Sequence, residues 1–469
     1  MPSPRTAYPL ALAFLAASLP SQEADPRPRP NILLLMADDQ GFGDVGFRGH
    51  PHLKTPTLDQ LARTAVRFER FYAAAPLCSP TRGSCLTGRH PYRYGIRGAN
   101  HGHIKEQEAT LAELLREQGY RTGHFGKWHL GTLTKTERDS NRGGRKEGDA
   151  HYAPPQDHGF DVCFSTEAKV PTFDPMKTPP QWAGDVPKDR QPGTSYGTAY
   201  WNESGERIIE GLDGDDSRII MDRALPFIED AVQVQKPFLA VLWFHAPHLP
   251  VVAGEAHRAL YSDIEDERRR HYYGCLTALD EQVGRLRTRL RELGVADDTM
   301  LFYCSDNGPE GNDQAPGRTG GLRGRKRSLF EGGIRVPAFL EWPGRFKGPK
   351  VVTTPCCTSD YLPTIMDALG MEPSALPIDG TSMLPFLAGD TAKRGKAIGF
   401  QSGNQAAWLL DRFKLIQHGR KTLLFDIVQD PEETTNLCTE KPTVAGRMRA
   451  GLRRWQTRCD SSARGGDYR

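Results

Sequence analysis

At 469 residues, the chain is long enough for one large domain and a smaller one. Hydrophobic residues make up 38% and charged residues 25%, a balance that is typical of folded globular proteins and excludes a largely disordered chain. The 61 basic and 58 acidic residues leave a net charge of only +3, which gives no reason to expect a nucleic acid as the partner.

The N-terminus has the pattern of a signal peptide. Arg5 supplies a positive charge, and an uncharged run extends over residues 7–19. Near the end of this run, residues 16–18 are small and suited to a cleavage site. The run is shorter than the roughly 20 residues that a membrane-spanning helix needs. We therefore expect residues 1–22 to be a signal peptide, a secreted or periplasmic mature protein, and no stable insertion in a membrane.

Buried strands alternate with helices along most of the chain. Short apolar runs predict strands at 31–36, 120–125, 237–244, 299–304 and 336–341. Apolar residues at helical spacing predict helices that begin at residue 56 and after residue 110, and that cover 218–231 and 272–293. This alternation predicts an α/β fold with a large, mainly parallel sheet flanked by helices.

The character of the sequence changes near residue 391. Segments 407–417 and 421–427 are typical of short antiparallel strands, and a helix is predicted over 444–455. We interpret residues 391–469 as a small C-terminal α+β domain with a short antiparallel sheet. Two charged or Pro-rich segments without periodicity, 132–148 and 171–191, are predicted to be surface insertions of the larger domain.

Polar side chains follow three of the predicted strands at the point where each strand ends. Asp38 and Asp39 follow the first strand, His245 and His248 follow the segment 237–244, and the pair Asp306-Asn307 follows 299–304. In open parallel sheets, ligands bind in the crevice outside the carboxyl ends of the strands. Three separate segments therefore deliver acids, an amide and imidazoles to one edge.

The acids and the amide suit a metal. Carboxylate and amide oxygens are preferred by hard divalent cations, Ca²⁺ or Mg²⁺, over zinc. Taken alone, Asp38-Asp39 or Asp306-Asn307 is as typical of a turn or a helix cap as of a metal site. Because both pairs lie at strand ends of one sheet, together they favour one divalent metal, with Ca²⁺ as the first candidate and Mg²⁺ as the second.

Nine cysteines occur without the spacing of a metal site, and an odd number leaves at least one thiol unpaired in an exported protein. Cys78 opens the segment Cys-Ser-Pro-Thr-Arg, which is followed at 86–88 by Leu-Thr-Gly. A disulfide from Cys78 to Cys85 is the structural alternative for this segment.

The segment from Cys78 to Gly88 resembles the sequence in which the sulfatase family carries a cysteine that a formylglycine-generating enzyme oxidises to formylglycine. Further segments are similar to that family in order and rough spacing. They are 37–44, 126–131 (GKWHLG), 247–250 (PHLP), 305–308 (SDNG), Lys326 with 331–337 (EGGIRVP), and 425–437. The resemblance implies an alkaline-phosphatase-like fold, with a signal peptide at 1–22, a sulfatase catalytic domain at 23–390 and a C-terminal domain at 391–469.

The resemblance also implies the chemistry, hydrolysis of a sulfate ester by the hydrated formylglycine at position 78. One hydroxyl of the hydrate would attack sulfur, and deprotonation of the other would expel sulfate. The implied metal ligands are Asp38, Asp39, Cys78, Asp306 and Asn307. The implied catalytic residues are Cys78, Arg82, Lys127, His129, His248 and Lys326.

Each implied catalytic residue has an expected task. Arg82 would steady the hydrate, His129 would contact it and help its collapse, and the two lysines would bind developing charge. His248 would bind a sulfate oxygen near the leaving group, with Lys326 as a candidate proton source. For His245 two roles are left open: support of neighbouring site residues and contact with the substrate.

Two other functions compete with this interpretation. One is a phosphate monoester or diester hydrolase of the same superfamily; the other is a catalytically silent glycan-binding protein on the sulfatase fold. Secretion, and basic residues in the segments 132–156 and 165–200, favour a sulfated polysaccharide or oligosaccharide as the substrate, by analogy at the level of the fold. The expected partners are this carbohydrate and the formylglycine-generating enzyme.

Overall fold

The computed structural model describes residue 1 and residues 29–139, 142–372 and 375–468. The expected signal peptide lies outside the described residues, apart from Met1. None of the helices within these ranges is long and apolar enough to cross a bilayer.

A ten-stranded sheet forms the centre of the molecule, in the order β11-β2-β10-β9-β1-β8-β4-β5-β6-β7. Its strands are, in chain order, β1 Asn31–Ala37, β2 Val66–Phe68, β4 Arg121–Lys127, β5 Val162–Thr166, β6 Tyr200–Trp201, β7 Arg207–Ile208, β8 Phe238–Trp243, β9 Thr299–Ser305, β10 Ala338–Glu341 and β11 Lys350–Val352. A separate two-stranded pair joins β3 Phe71–Tyr72 to β12 Cys356–Cys357.

Helices cover both faces of the large sheet. They are α1 Pro56–Thr64, α2 Cys78–Thr87, α3 Leu111–Glu117, α4 Lys146–Asp149, α5 Asp216–Gln233, α6 Glu255–Ala259, α7 Glu267–Glu292, α8 Glu331–Ile334, α9 Tyr361–Leu369, α10 Leu384–Ala388 and α11 Pro442–Ala463. Alternate residues of β1 point to opposite faces, as strand geometry requires. Ile32 and Leu34 pack in the core that contains α2, α3 and α9, whereas Leu33 and Leu35 pack in the core that contains α1, α5 and α7.

The central strands are parallel, and their register brings their carboxyl ends together. Along β1, Met36 is paired with Trp243 of β8 and Ala37 with Ser305 of β9. On the far side of β8, Gly126 of β4 is paired with the same Trp243. The segments after β9, β1, β8 and β4 therefore leave the sheet at one edge, as the sequence predicts.

The prediction of a large, mainly parallel α/β sheet with a smaller antiparallel one is confirmed. The large sheet is mixed at its margins, because β10 runs antiparallel to β9, and β6 and β7 are antiparallel additions beyond β5. Strand β10 was predicted at 336–341, whereas β6 and β7 were not; at two residues each, they are too short to show a period.

The small sheet consists of β13 Ile398–Ser402, β14 Gln405–Leu410, β15 Phe413–His418 and β16 Lys421–Asp426, all antiparallel. The prediction of a single strand over 407–417 was wrong, since the chain reverses between β14 and β15 at Asp411, whose φ is +50°. Apolar residues on both sides of this turn concealed it. The boundary at residue 391 between two domains stays a prediction.

Candidate active site

Three acidic side chains meet at the sheet edge. Asp38 and Asp39 leave β1, Asp306 leaves β9, and all three are buried, with carboxylate oxygens within 4.8 Å of one another. The amide N–H of Asp39 donates to Oδ1 of Asp306 over 3.1 Å, and Asn307 Nδ2 donates to Asp39 Oδ1 over 2.6 Å. These bonds hold Asp39, Asp306 and Asn307 together, and with Asp38 they form a group that we call the acid cluster.

The acid cluster fits a hard cation. Two buried oxygens in it, Asp38 Oδ1 and Asn307 Oδ1, have no hydrogen-bond partner among the described residues. Buried acceptors without a partner are costly, and a cation bound by them would remove that cost. The backbone of Asp39 adopts a left-handed conformation, with φ +70°, which costs a non-glycine residue free energy and is typical of functional sites.

Cys78 is the first residue of α2, and its side chain lies near the acid cluster. Its sulfur, an oxygen of Asp38 and a nitrogen of His248 lie within 4.8 Å of one another. Cys78 is not bridged to Cys85, since all nine cysteines, which lie within the described ranges, are free thiols. Burial raises the pKa of the Cys78 thiol, so the unmodified side chain is protonated and a poor nucleophile.

Arg82 and Lys127 bind the acid cluster from the side of α2 and β4. Arg82 lies one helical turn after Cys78 and donates to Asp306 Oδ2 over 2.7 Å and to the carbonyl of Lys127 over 3.1 Å. Lys127 ends β4 and donates from Nζ to Asp38 Oδ2 over 2.5 Å. Neither cation is exposed to solvent, so both are fixed in place by the acids they neutralise.

Lys326 reaches the acid cluster from the segment between β9 and α8. Its Nζ lies 2.7 Å from the carboxylate of Asp39 and 3.5 Å from Glu310 Oε2. The next residue, Arg327, adopts φ +75° and pairs with Glu310 through both guanidinium nitrogens. Glu310 therefore anchors the loop that carries Lys326.

Burial and charge act in opposite directions on the three acids. Burial disfavours the charged form of Asp38, but the charges of Lys127, Arg82 and Lys326 outweigh it and hold its pKa well below the usual value. Burial raises the pKa of Asp39, and burial with the charge of Asp38 raises that of Asp306 to about 7. A divalent cation among them would favour the ionised form of all three.

His129 follows β4 and has one free ring nitrogen. Its Nε2 lies 2.9 Å from Oδ1 of Asn100, while its buried Nδ1 has no partner in the described part of the chain. Burial, aided by the charge of Lys127, lowers its pKa well below the usual value, so the ring is neutral. Because an amide oxygen only accepts, Nε2 carries the hydrogen and Nδ1 is left as a base.

His248 lies beside Asp39, with Nε2 3.7 Å from its Oδ2. Its Nδ1 lies 2.5 Å from the carbonyl oxygen of Leu249, so Nδ1 is the donor in the neutral ring. Burial lowers the pKa of His248 well below the usual value. The ring can donate from Nε2 only after it gains a proton, which a bound anion would favour.

His245 is positioned to support its neighbours. Its Nδ1 lies 2.8 Å from Asp216 Oδ2, its Nε2 lies 2.8 Å from Thr166 Oγ1, and the ring is fully buried. Both nitrogens are thus occupied. Of the two roles left open by the sequence, the structure favours support of the segment that carries His248.

Five of the predicted site residues line one open cavity of about 940 Å³. They are Cys78, Lys127, His129, His248 and Lys326. Sequence reasoning did not identify Asn100, Asp216 or Glu310, which hold His129, His245 and Lys326. No motif marks these supporting residues, and only their polar contacts in the folded chain reveal them.

The site places cations around buried carboxylates at the carboxyl edge of the sheet, next to a large open cavity. Such an arrangement can bind an ester that carries negative charge. The fold and the site therefore indicate an enzyme that hydrolyses charged esters. The sequence model of the sulfatase family matches residues 30–371.

Relatives agree with this class. The chain is 32% identical to steryl-sulfatase of Mus musculus, over 84% of this chain and 71% of the relative. It is also 32% identical to N-acetylgalactosamine-6-sulfatase of Canis lupus familiaris, over 82% of this chain and 70% of the relative. The crystal structure of Ps i-CgsB in complex with k-i-k-neocarrahexaose is similar, with a TM-score of 0.77, 26% identity, and coverage of 91% of this chain and 92% of that one. The chain belongs to the sulfatase family and is a sulfuric ester hydrolase.

Proposed function

We propose that this sulfatase releases sulfate from a sulfated glycan, by means of a formylglycine derived from Cys78 and one divalent metal, Ca²⁺ in the first instance. The observation that carries the proposal is that Cys78, Lys127 and Lys326 line one cavity while each of them lies against an aspartate of the acid cluster. The formylglycine-generating enzyme is the proposed maturation partner, and a secreted or periplasmic location follows from the N-terminal pattern.

The proposed metal ligands are Asp38, Asp39, Asp306, Asn307 and the modified residue 78. The all-oxygen set and the two partnerless oxygens support a hard cation rather than zinc. When bound, such a metal would act as a Lewis acid that offsets negative charge on the oxygens of the reacting group.

The proposed formylglycine explains the state of Cys78. The thiol is free, buried and protonated, so it is poorly suited to act unmodified. The hydrated aldehyde would supply two hydroxyls on one carbon. The start of α2 is a favourable place for the negative charge that collects there, because the first N–H groups of a helix attract anions.

The cations of this chain have the proposed task of binding the sulfuryl group. Lys127 contacts Asp38 and Lys326 contacts Asp39, the two aspartates that follow β1. A sulfate held between them would meet two fixed ammonium groups, which stabilise charge in the transition state. Arg82, held by Asp306, would keep residue 78 oriented.

The two histidines have different proposed tasks because their free nitrogens differ in environment. His129 offers an unprotonated Nδ1 and would accept a proton from the hydroxyl at position 78. His248 would gain a proton when the anionic substrate binds and then donate to a sulfate oxygen near the leaving group. Lys326, with three N–H donors, is the second candidate for protonating that group.

A glycan substrate is supported by the wall of the cavity. Its volume of about 940 Å³ is far larger than a sulfate group needs, and it is within the range of sites that enclose organic ligands. The hairpin between β13 and β14 contributes the amides Gln401, Asn404 and Gln405, and Arg97 faces the same space. The names of the dog relative and of the Ps i-CgsB complex also point to carbohydrate.

The experiment that tests the proposal compares ester classes. The protein, produced with a formylglycine-generating enzyme and Ca²⁺, is assayed on sulfated oligosaccharides, an aryl sulfate, a phosphate monoester and a phosphate diester. We expect sulfate release to dominate and a chelator to abolish it. Faster turnover of a phosphate ester than of every sulfate ester would contradict the proposal.

A further inference from the structure

A second cavity, of about 760 Å³, adjoins the one that contains the candidate active site. Leu249 and Glu310 line both cavities, so the two spaces are neighbours. Asp39 of the acid cluster lines the second cavity. A ligand that extends away from the reacting group therefore has a second enclosed space next to the site.

An exposed indole faces this second cavity. Trp182 lies in the 3-10 turn Gln181–Ala183, within the insertion that follows β5, and is 37% exposed. Its ring centroid lies 4.3 Å from that of His271, a buried residue of α7 whose Nδ1 accepts from the amide of Ala253. The indole is thus held against a fixed partner while part of its surface stays open to the cavity.

A guanidinium without a counter-ion lines the same cavity. In the first turns of α7, Arg269 pairs with Asp266 and Arg270 with Glu267. Arg268, which directly precedes these two arginines, has no ion pair or side-chain hydrogen bond to any residue that the structure describes, and it is exposed at the cavity. It is therefore free to pair with an anion.

We propose that the second cavity is a subsite for a sugar residue adjacent to the one that carries the reacting sulfate. Trp182 would stack against the apolar face of that sugar ring, and Arg268 would pair with a sulfate or carboxylate on it. The amide side chains of Gln181, Asn312 and Gln314 also line this cavity. An open aromatic face beside such amides suits a carbohydrate, and the planar guanidinium suits an oxyanion. This inference rests on the proposed glycan sulfatase function and assigns it a polyanionic oligosaccharide rather than a monosaccharide sulfate.

The test compares substrates of different length. Steady-state sulfate release is measured for wild type, Trp182→Ala, the matched variant Trp182→Phe and Arg268→Gln, on a small aryl sulfate and on a sulfated tetrasaccharide. For Trp182→Ala we expect kcat/KM on the tetrasaccharide to fall about tenfold, mainly through KM, with the aryl sulfate turned over as by wild type. Trp182→Phe should keep most of the activity because it keeps an aromatic face. Arg268→Gln should lose activity only on oligosaccharides with a second anionic group.

The outcomes separate the two proposals. If wild type cleaves the tetrasaccharide and Trp182→Ala cleaves it equally well, the subsite is refuted while the glycan sulfatase function stands. Equal losses on both substrates would show a structural effect of Trp182 and would also refute it. If wild type cleaves the aryl sulfate and no sulfated glycan, the proposed substrate class fails, and the subsite with it.

Discussion

His129 and Asn100 form a pair in which Nε2 of the buried ring lies 2.9 Å from the amide oxygen of Asn100, an exposed residue. This contact determines which ring nitrogen carries the hydrogen and leaves Nδ1 as the acceptor. His129 itself has a left-handed backbone, with φ +58°, so its orientation depends on such support. Asn100 is therefore a positioning residue for His129.

Replacing Asn100 should impair catalysis through His129. We expect Asn100→Ala to lower kcat by roughly 10- to 100-fold, the usual effect of removing a group that orients a functional histidine. His129→Ala should lower it further, and the double variant should be no worse than His129→Ala alone. The kcat of each variant is measured as sulfate release at saturating substrate. If the loss in the double variant equals the product of the two single losses, the residues act independently and the positioning role is refuted.

Lys127 and Lys326 should be needed for sulfate ester cleavage. Each is expected to contribute like one preorganised donor to the transition state, so Lys127→Ala or Lys326→Ala should lower kcat/KM by about 10²–10³-fold. Both variants are assayed with metal present and at a temperature at which circular dichroism shows them folded.

Lys236 provides a matched control for these two variants. It is exposed and precedes β8, at the sheet edge opposite the site. Lys236→Ala should keep wild-type kcat/KM. Activity of Lys127→Ala or Lys326→Ala within a few-fold of this control would refute the assigned role.

A divalent cation should stabilise the fold by relieving repulsion in the acid cluster. Binding at a concentration 100 times the dissociation constant adds about 2.7 kcal/mol of stability. We expect Ca²⁺ to raise the melting temperature and a chelator to reverse the shift. In Asn307→Ala, the Ca²⁺ concentration needed for half of this shift should rise at least about tenfold, because one ligand is lost.

Asp213→Asn serves as the control for the metal prediction, because Asp213 is an exposed acid that pairs with Lys177 away from the cluster. It should retain the full Ca²⁺ response. A melting temperature that responds to neither Ca²⁺, Mg²⁺ nor chelator would contradict the metal site, and a response to Mg²⁺ alone would correct the choice of ion.

A buried ion network attaches the small sheet to the segment after Lys326. Lys414 of β15 lies 2.9 Å from Glu331 Oε1 and 3.0 Å from Glu433 Oε1, and all three side chains are buried. Tyr72 donates to the second oxygen of Glu331. Removing the lysine alone would take the cation from buried Glu433 and would leave buried Glu331 with only Arg335, 3.5 Å away.

Lys414→Met should therefore destabilise the protein by about 3–5 kcal/mol, the cost of breaking a buried ion pair from one side. The measurement is the urea midpoint, followed by circular dichroism. Lys421→Met, on the exposed end of β16, is the control and should change the midpoint little. Equal midpoints for the two variants would show that the network does not stabilise the fold.

The sequence predicts the sheet edge well because two signals there are local. Continuous apolar runs such as 31–36 mark buried strands, and the polar residue that follows each run marks where the strand ends. Parallel order then places Asp38 and Asp306 together, without any knowledge of the packing around them. The motif around Cys78 adds the helix start, which the structure places beside these acids.

Other features depend on contacts that sequence spacing does not encode. Asn100 and Glu310 lie in loops, and only the folded chain brings them to His129 and Lys326. Trp182 lies in an aperiodic insertion whose path is determined by packing on α7. The reversal at Asp411 is hidden because apolar residues continue on both sides of it.

The central claim, that residue 78 becomes the nucleophile of a sulfate ester hydrolase, is tested most directly by one paired measurement. The protein is produced with and without a formylglycine-generating enzyme, the mass of the peptide containing position 78 is determined, and sulfate release is measured on the same samples. We predict that the mass of the aldehyde or its hydrate replaces that of cysteine, that activity rises in proportion to the converted fraction, and that Cys78→Ala is inactive. Full activity in protein whose Cys78 is unmodified, or in Cys78→Ala, would contradict the claim.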